Sequence, residues 1–283
     1  MERKSLLPYL LILPAFAYLL FFVGYPLVQA LFLAFTKNGV FSLDTVRKTI
    51  SDYYFWSALK YTIALAIAIV PTQLALAVVL ALIMNRFFRG RDLAIYALVI
   101  PLTISDVAAG LIWYSMLSPY GFLNKLLINI GIISQPIYFF GYQFRSMEFL
   151  AIVLAEVWRA TSIVFVIILA GLQMISKEYL EAADVFGASY WMKLRRIVIP
   201  MLKPSIQSAL IIRTLFAMQV FGIVWILAGR DIPVLAGEGF YQLTEIHDYG
   251  VASIYALVIA GLSILLGALY IKFLRAEYLE VKV

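Results

Sequence analysis

Long uncharged apolar runs constrain this chain more than any other feature. No Asp, Glu, Lys or Arg occurs from Tyr61 to Asn85 or from Tyr249 to Ile271. A helix of about 20 apolar residues crosses a bilayer, and unpaired backbone is not tolerated in lipid. With 64% hydrophobic residues and a mean hydropathy of +0.96, the chain has more apolar sequence than a soluble core can bury. The composition predicts an all-α protein that crosses a membrane several times.

Six segments are long and apolar enough to be membrane spans. They cover about residues 8–35, 59–84, 93–117, 147–172, 204–228 and 251–273. The basic start of the chain imitates a signal peptide, but the uncharged run from Ser5 to Thr36 is longer than the roughly 7–15 residues of a signal core. We therefore interpret it as a retained first span. With no repeat and no second soluble domain, residues 1–283 are interpreted as a single transmembrane domain.

The distribution of basic residues predicts the orientation of these spans. If both termini lie inside, 13 of the 22 Lys and Arg residues fall on the inner side and 7 on the outer side. Inner loops of membrane proteins carry the excess of Lys and Arg. Residues 176–203, hereafter the charged segment, are then cytosolic. The net charge is +6, but the basic residues flank the spans and do not form a stripe. Nucleic-acid binding is therefore not indicated.

The charged segment is too polar for a membrane span but suits a docking surface. Ser176 and Ser189 are predicted to cap two short helices, and Gly187 is predicted to end the first of them. The second helix would place an apolar stripe on one face and its basic residues elsewhere, so that it lies along an anionic membrane surface. The stripe residues are Trp191, Leu194 and Val198.

The same segment carries a family motif. Glu181-Ala182-Ala183, three residues, Gly187, nine residues and Ile197-Val198-Ile199-Pro200 follow one spacing pattern, with Ile199 where the pattern has leucine. This arrangement resembles the signature loop of permease subunits in binding-protein-dependent ABC importers. Further stretches resemble the carbohydrate branch, and within it the upstream permease of maltose, trehalose and glycerol-phosphate systems: Phe55–Leu59, Asn85–Arg91, Ala109–Trp113 and Leu169–Gln173.

The resemblance implies a fold, a set of partners and a coupling surface. It implies the six-helix type I ABC importer permease fold in a prokaryotic inner or plasma membrane. The implied partners are a second, different permease, two cytosolic ATPase subunits and an extracytoplasmic solute-binding protein. The residues implied to contact an ATPase are Glu181, Ala182, Ala183, Asp184, Gly187 and Ala188. The implied cargo is a di- or oligosaccharide; glycerol phosphate or another small polar solute stays open as an alternative.

Four ionisable residues fall inside predicted spans: Asp106, Glu156, Arg159 and Arg213. Charges at membrane depth need a partner or water. Glu156 and Arg159 are three residues apart and are expected to pair on one helix face. Arg213 lies close enough to Pro204 to extend towards the inner surface or towards a second permease. Asp106 has no cation near it in sequence, so we expect it to face an aqueous path. Structural and path-lining roles both stay open for this group.

Neutral and aromatic residues are the candidates for a sugar path. Gln219 can hydrogen-bond sugar hydroxyls, and Phe221 and Trp113 can stack on a sugar ring. The stretch Ala217–Phe221 resembles a Leu-Gln-x-Phe-Asp pattern of the family. Gly222 replaces the acid of that pattern, so any role of the acid does not transfer to this chain. Ordinary helix packing is the alternative for all three residues.

Catalytic chemistry is not indicated. The sequence contains no phosphate-binding Gly-x4-Gly-Lys-Ser/Thr motif, so ATP hydrolysis is expected in a separate subunit. With a single histidine, His247, and no cysteine, the chain has a poor set of donors for a metal site, and no cofactor is expected. The rival interpretation is an ion-coupled secondary transporter that uses Asp106 and Glu156 as proton carriers. It leaves the charged segment without a role.

Overall fold

A computed structural model describes residues 7–37 and 39–273. The helices of its first half are α1 (Leu7–Leu19), α2 (Tyr25–Phe35), α3 (Asp44–Ser51), α4 (Tyr53–Met84), α5 (Arg91–Val99), α6 (Asp106–Leu117) and α7 (Phe122–Asn129). Those of its second half are α8 (Arg145–Gln173), α9 (Lys177–Val185), α10 (Tyr190–Lys193), α11 (Ile199–Met201), α12 (Lys203–Met218), α13 (Gly222–Leu227), α14 (Leu235–Thr244) and α15 (Tyr249–Phe273).

The described part of the chain also contains short turns of π-helix and 3₁₀-helix and one small β-hairpin. Turns of π-helix lie at Leu20–Gly24 and Leu194–Val198, and turns of 3₁₀-helix at Ile100–Thr103 and Tyr142–Phe144. The strands β1 (Thr36–Lys37) and β2 (Val40–Phe41) pair antiparallel. Since each strand has two residues, the prediction of an all-α fold is confirmed.

Four helical stretches of the described residues are long and apolar enough to cross a membrane. They lie on the first, second, fourth and sixth predicted spans. Their bounds are Leu10–Phe35, Tyr53–Met84, Tyr142–Gln173 and Tyr249–Lys272. α4 begins where the Asp52 carboxylate accepts the N–H of Tyr54 at 2.9 Å, which satisfies a free donor at the helix start.

The third predicted span is not one helix. Its two parts, Arg91–Thr103 and Asp106–Asn129, meet at 104°. Pro101 stands at the break, and the Ser105 hydroxyl accepts the N–H of Ala108 at 3.2 Å, which begins a new helix. Proline has no N–H to continue the helical hydrogen bonds, the backbone becomes extended at Ile104 and Ser105, and a capping serine begins a new helix. The uninterrupted run of apolar residues therefore hid a sharp turn.

The fifth predicted span is also broken. α12 ends at Met218, three residues are not helical, and α13 starts at Gly222. α12 has 16 residues, so it is shorter than the four long stretches. If each broken span still crosses the bilayer, all six predicted segments do so, and the count of six stays a prediction.

The core is built around the pair α4 and α8. Small buried residues on α4, among them Ala77 and Ala81, let the two helices approach closely. α12 packs on both of them and on α15, while α13 packs on α6 and α8. The two breaks are therefore brought to the same place, beside the middle of α8.

Candidate functional site

The charged segment forms two short helices joined by a tight turn. The Ser176 hydroxyl accepts the N–H of Glu178 at 3.3 Å and begins α9. Gly187 has a φ of +71°, and the next N–H, that of Ala188, donates to the carbonyl of Ala183 at 2.9 Å. The Ser189 hydroxyl accepts the N–H of Met192 at 3.4 Å. Both predicted serine caps and the predicted helix end are present.

The motif residues divide between the two faces of α9. Ala183 is buried against the body of the protein, and Ala188 is partly buried. Glu181, Ala182 and Asp184 are exposed. The Asp184 carboxylate accepts a hydrogen bond from Nζ of Lys193 at 2.5 Å, which ties the two short helices together across Gly187. The segment is thus a braced element with one face free.

The turn between the two helices carries two uncovered apolar side chains. Val185 is 86% exposed and Phe186 is 90% exposed. They stand immediately before the left-handed glycine, at the end of α9 farthest from Ser176. We call these two residues the apolar tip. Exposed apolar groups rimmed by polar residues are characteristic of contact surfaces for another protein.

The expected apolar stripe of the second helix is only partly correct. Leu194 and Val198 are buried in the core cluster that contains Phe165 and Ile168 of α8. Trp191 instead is 74% exposed. Because the stripe is used to hold the segment on the protein, the helix does not lie free along the membrane surface. The π-helical turn at Leu194–Val198 changes the 3.6-residue period on which the stripe was based.

Four helices contribute to a polar cluster in the interior, which we call the buried charge network. Its members are Gln73, Asp106, Glu156, Arg159 and Arg213. Arg213 donates from Nε to the amide oxygen of Gln73 at 2.5 Å and from Nη2 to Glu156 at 2.6 Å. Gln73 in turn donates to the backbone carbonyl of Glu156 at 2.8 Å. These three side chains are buried.

The network ends at a more open pair. Arg159 lies 2.9 Å from a carboxylate oxygen of Asp106 and 3.4 Å from Glu156. The Asp106 side chain is 43% exposed, whereas that of Arg159 is 16% exposed. With two acids and two arginines, the network is neutral overall. A compensated cluster of this kind is the arrangement that membrane depth requires.

Gly222 is needed where the two helix breaks meet. An ideal Cβ at this position would lie 2.7 Å from Cβ of Asp106, closer than real Cβ contacts come. α13 therefore approaches the start of α6 more closely than any residue with a side chain allows.

Several expectations about the charged residues need correction. Arg213 neither extends to the inner surface nor points outward; it is buried and paired with Glu156. Asp106 has a cation beside it in space, Arg159, because the bend before α6 turns it towards α8. The predicted pairing of Glu156 and Arg159 is present. Gln73 was missed, although one amide in the uncharged run of α4 was a signal for a buried polar contact.

A cavity of about 690 Å³ lies on another side of α12 and α13. We call it the aromatic cavity. Gln219 and Phe221, two of the predicted path residues, both line it. Residues that the sequence did not single out complete its polar and aromatic wall: Phe240, Tyr249, Ser253 and Tyr255. No charged side chain of the described residues lines this cavity.

The aromatic side chains around Phe221 form a packed group. The ring centroid of Phe221 lies 4.9 Å from that of Phe240 and 5.7 Å from that of Trp225. Trp113 belongs elsewhere: its ring lies edge-on to Trp158 at 6.2 Å, and it does not line the aromatic cavity. The structure therefore joins Gln219 and Phe221 in one site and separates them from Trp113 and Asp106.

Comparison with known proteins identifies the family of this chain. Residues 73–276 match the family described as "Binding-protein-dependent transport system inner membrane component". The chain belongs to this family. The match includes the charged segment, all five residues of the buried charge network and most of the aromatic cavity.

Similar proteins are sugar and glycerol-phosphate permeases by name. The trehalose transport system permease SugA of Mycobacterium tuberculosis is 30% identical over 97% of this chain and 90% of its own length. The trehalose/maltose permease MalF of Thermococcus litoralis is 28% identical over 95% of this chain and 94% of its own. The sn-glycerol-3-phosphate permease UgpA of Agrobacterium fabrum is 29% identical over 83% and 81%.

Solved structures support the fold. A chain of a bacterial ABC transporter that imports the acidic polysaccharide alginate superposes with a TM-score of 0.83, at 21% identity, over 96% of both chains. The expected type I ABC importer permease fold is therefore confirmed.

Proposed function

We propose that this chain is one permease subunit of an ATP-driven importer, and that the imported solute is a neutral sugar, in particular a di- or oligosaccharide. The observation that carries the sugar assignment is the aromatic cavity in a family member whose relatives include trehalose and maltose permeases. Sugars present hydroxyl groups and an apolar ring face. The polar side chains of Gln219 and Ser253, next to aromatic rings in a mainly apolar lining, match both features.

The absence of cations from the cavity distinguishes a sugar from glycerol phosphate. A phosphate group is normally held by Arg or Lys through charge-assisted hydrogen bonds. Among the described residues that line the aromatic cavity, all are neutral. The arginines of the interior are committed to Glu156 and Asp106 in the buried charge network. This distribution favours an uncharged solute.

The paired acids also weigh against an ion-coupled secondary transporter. A proton carrier needs an acid that gains and loses its proton during transport. Glu156 lies 2.6 Å from Arg213, and Asp106 lies 2.9 Å from Arg159. Each acid is thus held in an ion pair between two helices, α8 with α12 and α6 with α8. A structural role of the network, holding α4, α8, α12 and α6 together, fits these contacts better.

The charged segment is the proposed contact with an ATPase subunit. Its free face contains Glu181, Ala182 and Asp184, and the apolar tip stands beside Gly187. Ala183 and Ala188 fix the segment to the body of the permease. Since the Asp184–Lys193 pair braces the two helices, movement of an attached ATPase would be transmitted to α8 and α12 through a rigid element.

The transport cycle then follows from two alternating arrangements of a permease pair. A second, different permease would complete the path, and two ATPase subunits would bind from the cytosol. With both termini cytosolic, the outer loops at residues 37–57, 118–146 and 229–250 face an extracytoplasmic solute-binding protein. Loaded binding protein would favour the outward-open arrangement by contacting it selectively, and ATP hydrolysis would restore the inward-open one.

Reconstituted transport tests this function. We expect vesicles containing the chain with its co-expressed subunits and binding protein to accumulate a neutral disaccharide when ATP is supplied. Accumulation should persist with a proton uncoupler present and stop when ATP is removed. Uptake that continues without ATP and collapses with the uncoupler would support the secondary transporter instead. Preferential uptake of glycerol phosphate over disaccharides would reject the sugar assignment alone.

Cysteine labelling tests the orientation independently. The chain has no cysteine, so single substitutions Ser189→Cys and Ser42→Cys give unique sites. We expect an impermeant thiol reagent added outside intact cells to label the Ser42→Cys variant and to leave the Ser189→Cys variant unlabelled. The reverse pattern would place the charged segment outside and remove its proposed ATPase contact.

A further inference from the structure

A second cavity, of about 530 Å³, lies between the charged segment and the ends of two long helices. Its volume falls within the roughly 300–1,000 Å³ typical of small-molecule sites. α4 ends at Met84 and α8 ends at Gln173, and the cavity is lined by the residues that follow each of them. α9 and α10 close its far side through Leu180, Tyr190 and Lys193.

The charge of this cavity is entirely positive. Four cationic side chains line it, and no carboxylate of the described residues does so: Arg86, Arg91, Lys177 and Lys193. We call it the cationic cavity. Its floor is apolar and is formed by Leu82, Leu172, Leu194 and Val198.

Two of the four cations have no carboxylate partner in the part of the chain that the structure describes. Lys193 pairs with Asp184, and Arg91 lies 3.5 Å from Asp92. Arg86 instead lies over the ring of Tyr190, 5.2 Å from its centroid, and Lys177 forms no ion pair with a described residue. The cavity thus brings together like charges whose repulsion the chain itself does not offset.

The position of the cavity identifies the kind of ligand. It begins where the candidate membrane spans of α4 and α8 end, so its cations stand at the level of lipid headgroups, above a floor that belongs to the buried core. Basic pockets at this level between membrane helices bind anionic lipid headgroups. The long side chains of Arg and Lys keep their charges at that level while their stems cover apolar surface.

We propose that the cationic cavity binds the phosphodiester headgroup of an anionic phospholipid, with Arg86 and Lys177 as its principal contacts. The headgroup lies among the four cations, above the apolar floor of the cavity. A bound lipid joins the end of α4 to α9 and α10, and so steadies the element proposed to meet the ATPase. This inference goes beyond the transport function and does not require it.

The cavity is separate from the surface assigned to the ATPase. The apolar tip at Val185 and Phe186 is not among the lining residues, and Leu180 and Lys193 face the body of the chain from the opposite side of the segment. A soluble partner seated on the tip therefore does not contact the lining of the cavity through these two residues.

Lipid binding by the full-length chain in nanodiscs tests the proposal. The chain, with the subunits that co-purify with it, is placed in phosphatidylcholine discs that contain a small fraction of spin-labelled phosphatidylglycerol. We expect a motionally restricted population of the anionic probe and none of a matched phosphatidylcholine probe. The double variant Arg86→Gln/Lys177→Gln should weaken binding of the anionic probe by roughly tenfold or more, because each cation near the surface contributes to attraction of anionic lipid.

A charge-matched variant separates a site from general basicity. Arg195 and Arg196 are exposed on the same segment and do not line the cavity. The Arg195→Gln/Arg196→Gln variant removes the same charge and should keep the restricted population within about twofold. Equal losses in both variants, or no loss in the cavity variant, would overturn the proposal. Displacement of the probe by millimolar inorganic phosphate or soluble glycerol phosphate would show that a free phosphate compound, and not a lipid, is the ligand, and would overturn it as well.

Discussion

In the buried charge network, each charged side chain has a partner of opposite charge within the chain, and the most buried of them, Glu156, contacts two arginines. In the charged segment, the Asp184–Lys193 pair is exposed and the apolar tip has no cover at all. Interior charges that are fully paired hold helices in place, while exposed apolar groups gain stability only from something outside the chain. The chain therefore pairs its own interior charges, whereas the apolar tip needs a partner to cover it.

Breaking the network should have the largest effect on stability. Glu156→Ala leaves Arg213 and Arg159 without their shared carboxylate inside the membrane, and loss of one partner of a buried pair costs about 3–5 kcal/mol. We expect a clear fall in the denaturant midpoint of the purified chain. Asp184→Ala, which removes an acid from an exposed pair, should cost about 0–1 kcal/mol. Equal losses of stability in the two variants would show that the network does not carry the contrast drawn above.

The turn at Gly187 should show a smaller effect that appears in coupling. No atom lies within 4 Å of a Cβ placed there, so a side chain causes no collision within the chain. The cost comes from the φ of +71°, which is about 1–3 kcal/mol for most residues and lower for asparagine. Gly187→Ala should therefore reduce ATP hydrolysis stimulated by the binding protein more than Gly187→Asn does.

These two variants also separate backbone strain from steric obstruction at the turn. Among the described residues, nothing occupies the space that a side chain at position 187 would enter. If Gly187→Asn is as damaging as Gly187→Ala, the obstruction lies in the partner that covers the turn. Full stimulation in both variants would remove Gly187 from the coupling surface.

Changes in the aromatic cavity should have modest effects on uptake. Gln219→Ala removes one hydrogen bond to a sugar hydroxyl, a loss of about 0.5–1.5 kcal/mol, which raises the KM for uptake by roughly 2- to 12-fold. Phe221→Ala should raise KM by removal of a stacking surface. Gln143→Ala, at an exposed position of the outer loop, should leave KM unchanged. Unchanged kinetics in both cavity variants would return Gln219 and Phe221 to helix packing.

The smallest effect is expected at an outer ion pair. Burial raises the pKa of Asp248, but hydrogen bonds from Lys48 and from the N–H of Val251 outweigh it, so the pKa lies below the ordinary value of 3.8. The ionised form therefore stabilises the fold above that value, and the contribution is lost as the pH falls through the lowered pKa. Asp248→Asn should slightly lower Tm at pH 7, and the difference should shrink as the pH is taken below 3.8. A difference that grows on acidification would have the wrong sign.

Local signals in the sequence predicted the charged segment well. Ser176, Gly187 and Ser189 act through contacts two to five residues away, so their roles can be inferred without tertiary structure. The long helices α4 and α15 follow from their uncharged runs, and α8 follows from a long apolar segment that contains few charges. The predicted position of Trp191 on the apolar stripe was wrong because a π-helical turn changes the 3.6-residue helical period. The residues from Leu194 to Val198 give no sequence signal for that turn.

Contacts over long sequence distances could not be predicted. Gln73 and Arg213 are 140 residues apart, and Asp106 meets Arg159 only because the chain bends by 104° before α6. Pro101 and Ser105 were available as signals for that bend, but they sit in an apolar run that reads as one helix. Most of the residues that line the aromatic cavity lie on α14 and α15, and the sequence alone could not show that these helices pack beside Gln219.

The apolar tip gives the most direct test of the difference between the two regions. A Phe186→Cys variant of the otherwise cysteine-free chain can be treated with a permeant maleimide in inner-membrane vesicles, with co-expressed ATPase subunits present and again after they are stripped with urea. We expect labelling to be at least tenfold slower when the ATPase is present, because a side chain that is 90% exposed in the isolated chain is then covered. Equal labelling rates before and after stripping would contradict the proposal that this segment couples the permease to an ATPase.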